Sequence, residues 1–179
     1  MDGRGKRIVK NVALLSVLIA VAMILSYVEA QIPLPIPIPG VKIGLANLAV
    51  IMALYLLGFK FAVVISLVRV VLVALLFGNM MTMAYGLAGA TLSLIGMGLL
   101  KKIPFFSTVA VSVSGGVLHN IGQVIVASIV TESAVFVAYL PVLLVSGVIS
   151  GAVIGIVSAL IVTRVKKIVR TNHHSKTAE

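Results

Sequence analysis

Arg69 is the residue of this chain whose type and position most demand a chemical explanation. It lies inside an apolar run from Phe61 to Phe77. A guanidinium at bilayer depth costs about 3 kcal/mol on insertion scales, so such a group pairs with an anion, faces water or serves a ligand. The chain has only four carboxylate side chains, Asp2, Glu29, Glu132 and Glu179. Two are near the termini and two sit at the ends of apolar runs. Glu29, Glu132 and helix carbonyls are the internal partners on offer, and an anion arriving from outside is the alternative.

Three further polar clusters stand out against the apolar background. The stretch Pro39-Gly-Val-Lys-Ile-Gly-Leu-Ala-Asn47 carries Lys42 and Asn47, two donors, with Gly40 and Gly44 permitting sharp turns. Lys42 either snorkels to the interface or meets a ligand, and Asn47 either caps a helix or does the same. The stretch Ser114 to Gln123 places His119 and Gln123 four residues apart on one helix face, with Asn120 beside them. Polar groups at that depth must be satisfied, by neighbouring helices or by a small molecule in a cavity. Gly115, Gly116 and Gly122 would leave room for the second. The stretch Gly78 to Tyr85 contains Asn79 at a turn and several methionines, which fill irregular core space.

These residues require a membrane bundle to hold them. Hydrophobic residues make up 61% of 179 residues, and mean hydropathy is +1.26. No soluble core of this size could hide so much apolar side chain. The pattern predicts an all-α polytopic membrane protein with six transmembrane helices in one bundle, a single domain over 1–179 with short basic tails at about 1–7 and 167–179. The expected spans are about 8–27, 43–57, 60–77, 80–100, 105–131 and 138–165, since a crossing takes about 20 apolar residues. The second is short, and the prolines at 33, 35, 37 and 39 keep the chain before it extended.

The formal charge of +10 is concentrated at the termini and at Lys60, Lys101 and Lys102. With six spans these positions share one side, which the excess of Lys and Arg marks as cytoplasmic. Both termini are then cytoplasmic, and anionic lipids are the expected partners of the basic flanks. A nucleic-acid partner is not expected, because no basic folded surface interleaved with aromatics exists. All four polar clusters fall in the external half, which describes a pocket open to the outside rather than a pore.

The absences are equally informative. There is no cysteine, no phosphate-binding loop and no paired aspartate motif. Thiol chemistry, nucleotide hydrolysis by that loop and magnesium-dependent diphosphate chemistry all lack their residues. No catalytic residue, metal site or cofactor is expected, although composition alone does not exclude a Ser-His pair at His119. Small residues recur every fourth position at Gly147, Gly151, Gly155 and Ala159, and on the first span at Ser16 and Ala20 and at Ala22, Ser26 and Ala30. Such stripes let helix backbones approach closely, within the bundle or against another membrane subunit.

The motifs at 39–47 and at 115–123 (Gly-Gly-Val-Leu-His-Asn-Ile-Gly-Gln) resemble those of the Gx transporter family, whose members are often labelled heptaprenyl diphosphate synthase component I. That family looks like a branch of the substrate-binding S components of energy-coupling-factor transporters. The likeness covers nearly the whole chain. It implies a six-helix protein of a prokaryotic cytoplasmic membrane that captures a micronutrient from outside and docks to a membrane coupling subunit driven by two ATPases. Docking would use the first-helix stripe Ala13, Ser16 and Ala20, where serine stands in place of one alanine of the family's usual pattern.

Residues and resemblance together predict capture of a small anionic or polar solute by Lys42, Asn47, Arg69, Asn79, His119, Asn120 and Gln123. The alternative is a non-catalytic membrane subunit associated with prenyl diphosphate or quinone-linked metabolism. The missing acidic pairs argue that the chain does not itself make prenyl chains.

Overall fold

The computed structural model of the chain describes residues 3–32 and 44–175. Among these the chain is all-helical: α1 (Gly3–Gln31), α2 (Asn47–Leu56), α3 (Phe59–Phe77), α4 (Met80–Leu100), α5 (Thr108–Val130), α6 (Val135–Ala138) and α7 (Leu140–Ser175). Five of them, α1, α3, α4, α5 and α7, are long and apolar enough to cross a membrane. Their outward surface is apolar, with Val17, Ile24, Leu75, Ile129 and Leu160 among the exposed side chains. That exposure suits acyl chains and would be untenable in water.

The fourth helix begins where expected, because Asn79 caps it: its side-chain oxygen accepts from Thr82 N at 2.9 Å. Ser107 caps α5 in the same way, accepting from Ala110 N at 3.2 Å. The outermost helices are longer than the apolar pattern indicates. Basic segments at both ends stay helical, so α1 starts at Gly3 and α7 runs on to Ser175. Lys and Arg are good helix formers, and the apolar period stops before the helix does.

The expected second span is where sequence and structure differ most. With ten residues, α2 is about 15 Å long and cannot cross a bilayer alone. Yet the chain does return across the bundle there. The rings of Tyr27 near the end of α1 and Phe77 at the end of α3 meet at 5.4 Å, so these two helices end on the same side. Gly44 is bonded to Glu29 near the end of α1, and the chain from Gly44 to Phe59 therefore runs back along the bundle, with α2 covering the half nearer α3's start. No residue of the helix is fully exposed, and Ala49, Val50, Ile51, Ala53 and Leu54 form the centre of the core with Leu18, Ala22, Ile65 and Met97. This burial explains the short helix: it packs against α1, α3 and α7 rather than against lipid.

Lys101, just past α4, donates from Nζ to the Leu54 carbonyl at the end of α2 and lies 5.2 Å from the Tyr55 ring centroid. Burial, and then the like charge of Lys166, pull its pKa below the ordinary value. The hydrogen bond and the desolvation oppose each other. Lys101→Met is therefore expected to shift unfolding in detergent by less than about 1 kcal/mol. A loss above twice that would show that the ammonium is essential to the α2 terminus.

Close helix crossings complete the bundle. A Cβ at Gly147, Gly151 or Gly155 of α7 would stand 3.0, 2.7 or 2.8 Å from the nearest atom of α5, in each case including its backbone. The sequence stripe on the last span is thus a packing seam within this chain. On α1, Ala22 and Ser26 are buried against the bundle, whereas Ala13, Ser16 and Ala20 lie exposed on its outer surface. The Ser16 hydroxyl is turned back to its own helix, donating to Val12 O at 3.1 Å.

Candidate functional site

The hairpin formed by α2 and α3 sets the level of the site. Asn47 and Arg69 stand equally far along the chain from Gly58, the turn between the two helices. Each is therefore about 16 Å from that turn. Gly58 makes the turn with φ of +107°, a conformation open to glycine. The result is an amide and a guanidinium at one depth, roughly midway along α3.

Opposite them, α5 contributes His119, Asn120 and Gln123. Its close approach to α4 fixes their height: a Cβ on Gly89 would lie 2.8 Å from the His119 carbonyl, and one on Gly122 would lie 2.7 Å from the Ala88 carbonyl. Gly115 and Gly122 therefore serve helix packing rather than vacant space, Gly115 against Met97 and Ser93. Gly116 does face the cavity.

The cavity is partly open and holds about 670 Å³ of space between atoms, open solvent included. Asn47, Arg69, His119, Asn120 and Gln123 all line it, together with Glu29, Thr82 and Ser150. Glu29 near the end of α1 and Thr82 in the first turn of α4 line it at the end of the bundle away from Lys60, Lys101 and Arg164. Two other expected binding residues are placed differently. Asn79 serves as the α4 cap and does not line the cavity. Lys42 lies outside the described residues, as do the prolines at 33–39.

Hydrogen bonding divides the lining into committed and available groups. Asn120 is committed: its Nδ2 donates to Leu143 O of α7 at 2.6 Å. Glu29 is half-committed, because Oε1 accepts from Gly44 N at 2.7 Å. Gly44 has φ of +77°, and its carbonyl accepts from Asn47 N at 2.9 Å. The end of α1 is thus tied through one glycine to the start of α2. Arg69 is the available group. Its Nε is buried without a hydrogen-bond partner, although the field of the Glu29 carboxylate reaches it.

Glu29 corrects the picture of an isolated cation, because both charges line one chamber. The sequence offered Glu29 as one of the internal partners for Arg69, without indicating that it would line this chamber. Its place there depends on α1 and α3 ending together, which the Tyr27–Phe77 contact establishes and no local pattern signals. For an anionic ligand, Glu29→Gln is expected to tighten binding about fivefold, since it removes a repelling charge while keeping an oxygen to accept from Gly44. Titration of the purified variant checks this, and weaker binding would mean that the carboxylate itself holds the ligand.

Among the described residues no three His, Cys, Asp or Glu side chains gather as metal ligands would. The polar lining contains donors and one carboxylate. A family model described as heptaprenyl diphosphate synthase component I matches residues 18–161, a stretch that contains every lining residue named above. No curated protein and no solved structure matches the chain.

Proposed function

This chain belongs to the heptaprenyl diphosphate synthase component I family, and from that premise we propose that it is a solute-capturing membrane component rather than an enzyme. It takes a small anionic or strongly hydrogen-bonding micronutrient from the external face of a prokaryotic cytoplasmic membrane. The observation that carries this reading is Arg69: a half-buried guanidinium with an unpartnered Nε, standing in the wall of a polar cavity. A cation left so costs free energy in the empty protein, and an anion entering the cavity recovers it.

The roles follow from the geometry. Arg69 neutralises the negative pole of the solute. Asn47, His119 and Gln123 read its polar edges, and Asn120 holds α7 in place as part of the wall. Energy comes from elsewhere, since the chain has no phosphate-binding loop. A coupling subunit with two ATPases would dock on the exposed face bearing Ala13, Ser16 and Ala20, leaving both termini cytoplasmic and the basic flanks against anionic lipid.

The family description favours one second reading, a non-catalytic membrane subunit of a prenyl-diphosphate-synthesising complex. Affinity purification from the native membrane separates the two. Recovery of ATPase subunits with the tagged chain supports uptake, and recovery of a prenyl synthase supports the second. The direct test of capture is mass spectrometry of small molecules retained by the purified wild type and by Arg69→Gln. A solute held by both proteins alike would remove Arg69 from the site.

A further inference from the structure

A second, apolar chamber, partly open and with about 480 Å³ of space between atoms when open solvent is included, adjoins the polar one and is lined by Tyr85, Gln123, Val124, Ala127, Phe136, Tyr139 and Leu143. The two chambers have a common wall. Gln123 lines both, and Leu143, which lines the apolar chamber, is the residue whose carbonyl holds Asn120 of the polar one. Three of the seven lining residues are aromatic, and otherwise only the Gln123 amide and two phenolic hydroxyls interrupt an apolar surface. Ring faces of this kind favour a flat apolar group in offset or edge contact.

Resting on the capture reading above, we propose that the solute is an organic anion with a flat apolar arm: the charged head sits at Arg69 and the arm passes Gln123 into the chamber between α4, α5 and α6. A head-only anion leaves that chamber unfilled and forgoes the burial that fills it. An arm of one ring buries enough apolar surface to raise affinity well above that of the head alone. The Gln123 amide stands at the boundary, where it bonds the polar side of the junction while its stem borders the arm. The other occupant such a chamber admits, an acyl chain of a lipid or detergent, needs no anion at Arg69, and this difference decides the test.

The test uses the full chain in detergent and three probes: acetate as head alone, 3-phenylpropionate as head and ring, and 3-phenylpropan-1-ol as ring alone. Dissociation constants come from ligand-observed NMR titration. The acid is expected to bind at least about tenfold tighter than acetate and than the alcohol. Ala127→Phe, which fills the chamber, should reduce the acid to the level of acetate and leave acetate unchanged. Tyr139→Ala at the chamber's exposed rim gives the same direction with less risk to folding. Equal binding of acid and acetate, both lost in Arg69→Gln, would overturn the two-chamber solute while leaving capture at Arg69 intact. Equal binding of acid and alcohol, unaffected by Arg69→Gln, would assign the chamber to lipid and overturn both readings, as would no binding of any probe.

Discussion

Arg69→Gln is expected to weaken solute binding by about a hundredfold, roughly 3 kcal/mol, while leaving the empty protein as stable as the wild type or more so. The two halves of this expectation come from one fact. In the empty cavity the Nε of Arg69 has no hydrogen-bond partner, and burial opposes its charge. Removing a charge from such a place relieves desolvation and costs no hydrogen bond at Nε. In the occupied cavity the guanidinium forms the charge-assisted contacts that glutamine cannot replace. Arg69→Lys should fall between, because an ammonium keeps the charge and loses the planar fork.

A structural role for Arg69 would leave the opposite signature. If Glu29 and Arg69 were held as an ion pair, removing either alone would strand a buried charge and cost several kcal/mol of stability. Removing both would then restore much of it. Thermal unfolding of Arg69→Gln, Glu29→Gln and the double variant therefore decides between partner and ligand. Strong coupling between the two positions in the solute-free protein would sink the capture reading, whatever the binding data show. The Glu29 carboxylate already has a partner in Gly44 N, and this is why weak coupling is expected.

Arg69 was legible because charge in an apolar run is a local signal, and the same holds for His119 and Gln123, whose spacing places them on one helix face. The depth of Asn47 was not legible. A span starting at residue 43 puts it near the external end, whereas α2 starts at Asn47 itself and hairpin symmetry about Gly58 brings it level with Arg69. What decided this was the packing of a ten-residue helix into the core, a tertiary fact. Thr82 and Ser150 were missed for a related reason: each joins the cavity through contacts between helices far apart in sequence. Asn79 shows the converse error, since a polar residue at a helix start has capping as its first use, and it is so used here. The glycines divided the same way. Their abundance suggested space, and at Gly115 and Gly122 the space is filled by the neighbouring helix.

Those crossings carry the second large effect, expected at Gly116. A Cβ there would lie 2.5 Å from the Gly147 carbonyl oxygen, with the Gly147 carbonyl carbon and Cα at 3.3 and 3.5 Å. All three obstacles are backbone, so no side chain can rotate to make room. Gly116→Val must push α5 away from α7, and the displacement reaches Asn120 one turn on, whose bond to Leu143 O joins the same two helices. Overpacking of this kind costs about 1–3 kcal/mol before any hydrogen bond is lost. The expected outcome is a lower unfolding temperature together with lost solute binding, because Gly116 also lines the cavity. Gly96→Ala is the control on the neighbouring helix pair. Its Cβ would meet only Leu118, whose terminal Cδ1 is the close atom and can turn aside. If Gly96→Ala destabilised the bundle as much as Gly116→Val, the α5–α7 crossing would not be the rigid seam that holds the cavity wall in register.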